Sequence, residues 1–213
     1  MKKFGPFLAL ATITLATLGS PSVTYAQLDQ ITFKLKPNPD ILECLRQDAD
    51  HLPKAKVTVT RGRRNDTLEI ELSHIKPGLA FDLFTVERTL LLNDGSKDPG
   101  FHGFGLAWYQ SDLKVQKVVP FVGEGFVTIK TILLDQIFGF DPDVGLNPTN
   151  TFHVGFWFND PNDAAACGFN VNNPTPFNGE HNAGPLAMIS VPDATTGLGP
   201  LCTNPDGSGG CNP

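Results

Sequence analysis

The sequence predicts an all-β protein, an antiparallel β-sandwich of about seven to eight strands with one short N-terminal helix and a long structured loop near the C-terminus. Three observations predict it. Apolar residues alternate with polar ones in run after run, the period of a half-buried strand. The 213 residues include 21 Gly and 18 Pro, which punctuate those runs with turns. Between the runs lies no amphipathic stretch of the length that a parallel sheet needs for its crossover helices.

The chain opens with Lys2 and Lys3, an apolar run from Phe7 to Leu18, and Thr24-Tyr25-Ala26 ending in a small residue. This is the organisation of a secretory signal cleaved after Ala26. Its apolar run of about 12 residues is short of the roughly 20 that cross a bilayer, so neither a retained span nor membrane insertion is expected. The address is secreted or periplasmic. A mature chain beginning at Gln27 keeps 187 of the 213 residues, enough for one sandwich domain over 27–202 with a flexible tail over 203–213. Cleavage removes two lysines and no acid, moving the formal charge from −6 to −8. That charge repels nucleic acid and anionic lipid, leaving a small molecule, a glycan or a protein as the partner.

Within the mature chain, Ile31, Phe33 and Leu35 alternate and Pro37 and Pro39 close the run. Asp40 to Gln47 places Ile41, Leu42 and Leu45 on one face behind an Asp cap, a short helix. Val57 and Val59, then Leu68, Ile70 and Leu72, form a hairpin about a basic turn carrying Arg61, Arg63 and Arg64. Lys76-Pro77-Gly78 turns the chain into an extended run from Ala80 to Arg88. Gly103 to Val115 carries Phe104, Leu106 and Trp108 on one face and Ala107 and Tyr109 on the other. Val118 to Val122 and Phe126 to Leu134 flank Gly123-Glu124-Gly125, a second hairpin signal. Thr151 to Asn159 sets Phe152, Val154, Phe156 and Phe158 against His153, Gly155, Trp157 and Asn159. From Asp160 to Pro200 the chain is rich in Asn, Asp, Pro and Gly, with Leu186 to Val191 as its one strand. A loop of that length in a compact domain needs a function, a crosslink or a metal.

Cys44, Cys167, Cys202 and Cys211 make an even count in a chain bound for an oxidising compartment, so two disulfides are expected. Of the three connectivities, Cys167 with Cys202 is preferred because both flank packed segments. Cys211 can reach Cys202 locally or Cys44 at a distance, and both remain open.

No Gly-x-Ser-x-Gly elbow and no His-Glu-x-x-His helix is present among the five histidines, His51, His74, His102, His153 and His181. No catalytic residue is assigned, and a non-catalytic binding or structural module is expected. Trp157, with His153 and Asn159 on its strand face, and Tyr109 are the candidate ligand-binding residues, since flat rings among polar groups suit a glycan. Asp141 and Asp143, and Asp160 and Asp163, alternate with Pro and Asn in the manner of weak calcium loops, with His181 as a further metal candidate. Calcium is the candidate cofactor. Asx residues beside Pro are equally turn formers, because the side chain caps its own backbone.

Phe152-His153-Val154, then Cys167, Pro176-Phe177-Asn178, His181 and Gly184-Pro185 resemble the metal-loop region of the copper,zinc superoxide dismutase family over about 40 residues. The resemblance implies an antiparallel barrel or flattened sandwich, and a calcium- or zinc-binding extracellular enzyme degenerate from a dismutase. Gly155 stands where the family has its second histidine, and Pro176 and Pro185 replace further ligands. The copper set is therefore incomplete, and dismutase activity is not expected.

Overall fold

The computed structural model describes residues 30–60, 66–105, 107–117, 125–133, 151–175 and 182–202. The predicted signal segment over 1–26, the predicted turn at Arg61, Arg63 and Arg64, the Val118 to Val122 run, and Asp141, Asp143, His181 and Cys211 lie outside those residues. Ten strands follow in chain order: β1 (Gln30–Pro37), β2 (Lys54–Thr60), β3 (Asp66–Ser73), β4 (Ala80–Val86), β5 (Ala107–Lys114), β6 (Gln116–Lys117), β7 (Gly125–Leu133), β8 (Thr151–Phe158), β9 (Leu186–Ser190) and β10 (Leu201–Cys202). All their pairings are antiparallel. The ladder runs β5, β4, β8, β9, β1, β2, β3, β7, β6, with β10 on β8. One continuous sheet thus curls on itself until β5 and β7 come together, and the all-β antiparallel form is as the sequence predicts.

Alternation decides what the curled sheet encloses. Val57 and Val59 on β2, Leu68, Ile70 and Leu72 on β3, and Phe152, Val154, Phe156 and Phe158 on β8 all point inward and are buried. A buried side chain of this kind contributes roughly 1.5–3 kcal/mol relative to exposure. Slipping β8 by one residue would bring buried His153 and Trp157 into the enclosed core in place of four apolar side chains.

The predicted helix is real but shorter and differently capped. A 3-10 turn over Pro39–Ile41 leads into α1 (Leu42–Leu45), and Asn38, not Asp40, is the cap: its side chain accepts from the Asp40 amide at 3.2 Å. Cys44 on α1 is bonded to Cys167, which corrects the expected Cys167–Cys202 pairing. The pairing follows from position. A second 3-10 helix, Pro161–Cys167, packs against α1, bringing together two cysteines 123 residues apart in the chain.

Strand β5 also begins later than the alternation suggests, at Ala107. Gly105 adopts φ +73° and turns Phe104 away from the side of Trp108, onto the opposite face of the sheet. Trp108 packs toward the enclosed core with its ring 6.1 Å from that of Phe152.

Candidate functional site

The outer face of β4, β8 and β9 is covered as well as the inner one. Phe84, Val86, Trp157 and Ile189 form a second apolar cluster there, and Leu90, Leu91 and Phe104 of the segment 87–105 close over it. That segment is a small ordered hairpin: Leu90 O accepts from Asp98 N and Ser96 O from Leu92 N, at 2.9 and 2.8 Å. Phe104 sits 5.0 Å and Phe84 5.6 Å from Trp157, both edge-on. Trp157 is therefore fully buried and presents no face to a ligand, which corrects the expectation of a stacking platform. The polar company on its strand face has other work. Asn159 donates to the Oδ1 of buried Asp82 at 2.9 Å, satisfying a carboxylate that would otherwise be costly to bury. Tyr109 is half exposed on β5, its hydroxyl donating to Asp112 at 2.8 Å and its ring edge resting on Phe84.

His153 lies on the same outer face, 3% exposed. Its Nδ1 is 3.1 Å from the Ser190 carbonyl oxygen and 3.0 Å from Ser190 Oγ, while Ser190 Oγ accepts from the Val154 amide at 3.1 Å. A carbonyl only accepts, so this network assigns the proton to Nδ1 and leaves Nε2 with its lone pair. Burial pulls the His153 pKa down to about 4, against a smaller upward pull from the Ser190 carbonyl. The imidazole is thus a fixed, neutral group.

Beside it, Glu87 continues β4 past Val86, the register partner of His153. The Glu87 side chain is fully buried and bound to the Arg88 guanidinium at 3.2 Å. A Cβ at Gly105 would overlap the Glu87 carboxylate, so glycine is required there both for its φ and for this close approach. Glu87, Arg88, Phe101, His102, His153 and Leu198 line a cavity of about 330 Å³ between the segment 87–105 and the chain after β9. Of these residues, only His153 is a candidate ligand-binding residue in the sequence. Glu87 and Arg88 carried no motif, and their proximity to His153 arises from β4–β8 pairing.

Of the metal candidates, Asp160 and Asp163 lie among the described residues. Asp160 caps the Pro161–Cys167 helix, accepting from the Asn162 amide and side chain at 2.8 Å each. Asp163 is pushed above the usual carboxylate range by burial and by Asp160, partly offset by Lys76. Among the described residues, no three His, Cys, Asp or Glu side chains are grouped to hold a metal ion. His51 and His74 stack on each other at 4.7 Å, apart from the cavity lining. At Gly155, where the superoxide dismutase resemblance places a ligand, an added Cβ would stand 3.1 Å from the Met188 carbonyl and from Ile189, and 3.2 Å from the Trp157 ring. That position serves close packing of β8 on β9. No helix among the described residues is long and apolar enough to cross a membrane. Searches of family models, of curated proteins and of solved structures give no match to this chain.

Proposed function

We propose that the chain is a secreted or periplasmic, disulfide-stabilised, non-catalytic module that binds a small ligand in the cavity beneath the segment 87–105. The observation that carries the non-catalytic reading is the state of His153. Proton transfer is most effective from a group whose pKa lies near the working pH. A histidine held near pKa 4, with Nδ1 committed to Ser190, offers an acceptor rather than a proton shuttle. The Glu87 carboxylate is likewise engaged by Arg88. What supports ligand binding is a cavity of about 330 Å³, in the size range of small-molecule sites, whose polar groups are fixed by buried neighbours. The leader at residues 1–26 and the Cys44–Cys167 bridge support an oxidising compartment. The superoxide dismutase resemblance enters this reading as a shared sandwich form only.

A thermal-shift screen of neutral sugars, amino acids and small carboxylic acids tests the proposal on the mature protein and on Leu92→Trp, which places a large ring at the cavity wall from a position already 38% exposed. Ligands that raise the wild-type midpoint should lose their effect on the variant. Equal shifts in both proteins would place binding elsewhere.

A further inference from the structure

We propose that the outward face of β1 and β2 is a second site, one that binds a small polyanion carrying two or more phosphate or sulfate groups. The chain is acidic, with a formal charge of −6, yet this face gathers Lys34, Lys36, Lys54 and Lys56 around a cavity of about 530 Å³. Lys34 is the register partner of Lys56, and Lys36 and Lys54 stand one step beyond the last recorded pair, Leu35 with Ala55. Like charges directly opposite one another weaken strand pairing. The four ammonium groups spring from backbone sites roughly 5 Å apart across the strands and about 7 Å along them.

The usual reason for lysines on a strand is protection of a sheet edge against pairing with another chain. That reason does not account for the array. β2 is paired by both β1 and β3, and β1 by β2 up to Leu35 and by β9 over Leu35–Pro37, so of the four lysines only Lys34 stands on a stretch of β1 that β9 does not cover. Nor are the charges neutralised in place. Glu71 pairs with Lys56, and among the described residues Lys34, Lys36 and Lys54 have no ion-pair partner. An anion in this cavity therefore relieves a repulsion that the folded chain otherwise keeps.

The ligand chemistry follows from the geometry. Lysine acts as a compact point charge rather than a planar fork, so it suits oxyanions of high charge density without requiring a bidentate carboxylate. Three unneutralised ammonium groups within one cavity call for at least two negative charges in a small volume. Leu52, 60% exposed at the cavity wall, limits the polar surface on one side and leaves room for an apolar portion of the ligand. Leu35, Ala55 and Leu72 fix the backbone beneath, so the array is preformed.

Titration calorimetry on the mature protein at low ionic strength tests this with inorganic tripolyphosphate, orthophosphate and a sulfated disaccharide. Tripolyphosphate or the disaccharide should bind with one-to-one stoichiometry, whichever binds identifying the source of the anion, and orthophosphate at least tenfold more weakly. The double variant Lys34→Gln/Lys54→Gln should lose at least tenfold in affinity, while Lys114→Gln, on β5, should not. Backbone chemical shifts of the wild type should move at residues 34–36 and 52–56, a readout that does not depend on the variant. Thermal midpoints should be unchanged or raised in the double variant, since it relieves repulsion. The proposal is overturned by equal affinity in wild type and double variant, by an equal loss in Lys114→Gln, or by the absence of binding to both polyanions.

Discussion

His153 shows how one buried side chain ties pH to stability. Unfolded, its imidazole takes a proton near pH 6.5, whereas folded it resists protonation to about pH 4. The unfolded chain thus binds more protons between those values, so the stability this residue supplies is full above pH 6.5 and is lost as pH falls toward 4. The difference is about 3 kcal/mol. His153→Gln should be less stable than wild type at pH 7, and the gap should close by pH 4; denaturant midpoints across that range measure it. A pH-independent gap would show that the imidazole is not desolvated. Asp160 makes a separate residue-scale prediction. As the cap of the Pro161–Cys167 helix, its replacement by Ala should cost about 1 kcal/mol, equally with calcium and with chelator. A cost that appears only with calcium would restore the metal reading of Asp160 and Asp163.

Among the elements, the Cys44–Cys167 bridge carries the clearest consequence. It joins α1 to the Pro161–Cys167 helix across 123 residues of sequence, and closing a loop of that size stabilises by about 5 kcal/mol in the chain-entropy model. Peptide mapping without reductant should recover Cys44 linked to Cys167, leaving Cys202 with Cys211 as the second pair. On reduction, amides at 39–46 and 161–168 should lose hydrogen-exchange protection before the β2–β3–β7 ladder, whose pairing does not involve the bridge. Simultaneous loss across the whole chain would contradict this. The bridge was not legible in the sequence, because spacing alone does not reveal that a turn near residue 40 packs on one near residue 164. The strands were. Thr151 to Asn159 divides between its two faces as the alternation requires, and Leu186 to Val191 gives β9. Local period is written in the residues; pairing across a hundred of them is not.

At the scale of the molecule, the curled sheet explains why the site was only partly legible. Trp157 with its polar neighbours reads as an exposed platform as long as β8 is taken alone. Its cover comes from the segment 87–105, whose Leu90, Leu91 and Phe104 lack the strict alternation of a strand and are sixty or so positions away in the chain. The same segment creates the cavity, so one unseen element both removed the predicted platform and supplied a different site. β4, β8 and β9 are consequently buried on two faces, while β1, β2 and β3 keep a polar exterior on which the lysine array stands. The sheet thus separates a covered half, with the cavity under the segment 87–105, from an open half with a charged face.

The central claim, a non-catalytic module with its ligand under the segment 87–105, is tested most directly by backbone chemical-shift mapping of the mature protein against the ligands that raise its thermal midpoint. The account predicts perturbations clustered at residues 87–92, 98–103 and 192–198 around His153, with the ligand recovered chemically unchanged. Perturbations that leave all three stretches untouched, or conversion of the ligand at a rate that His153→Gln abolishes, would contradict it.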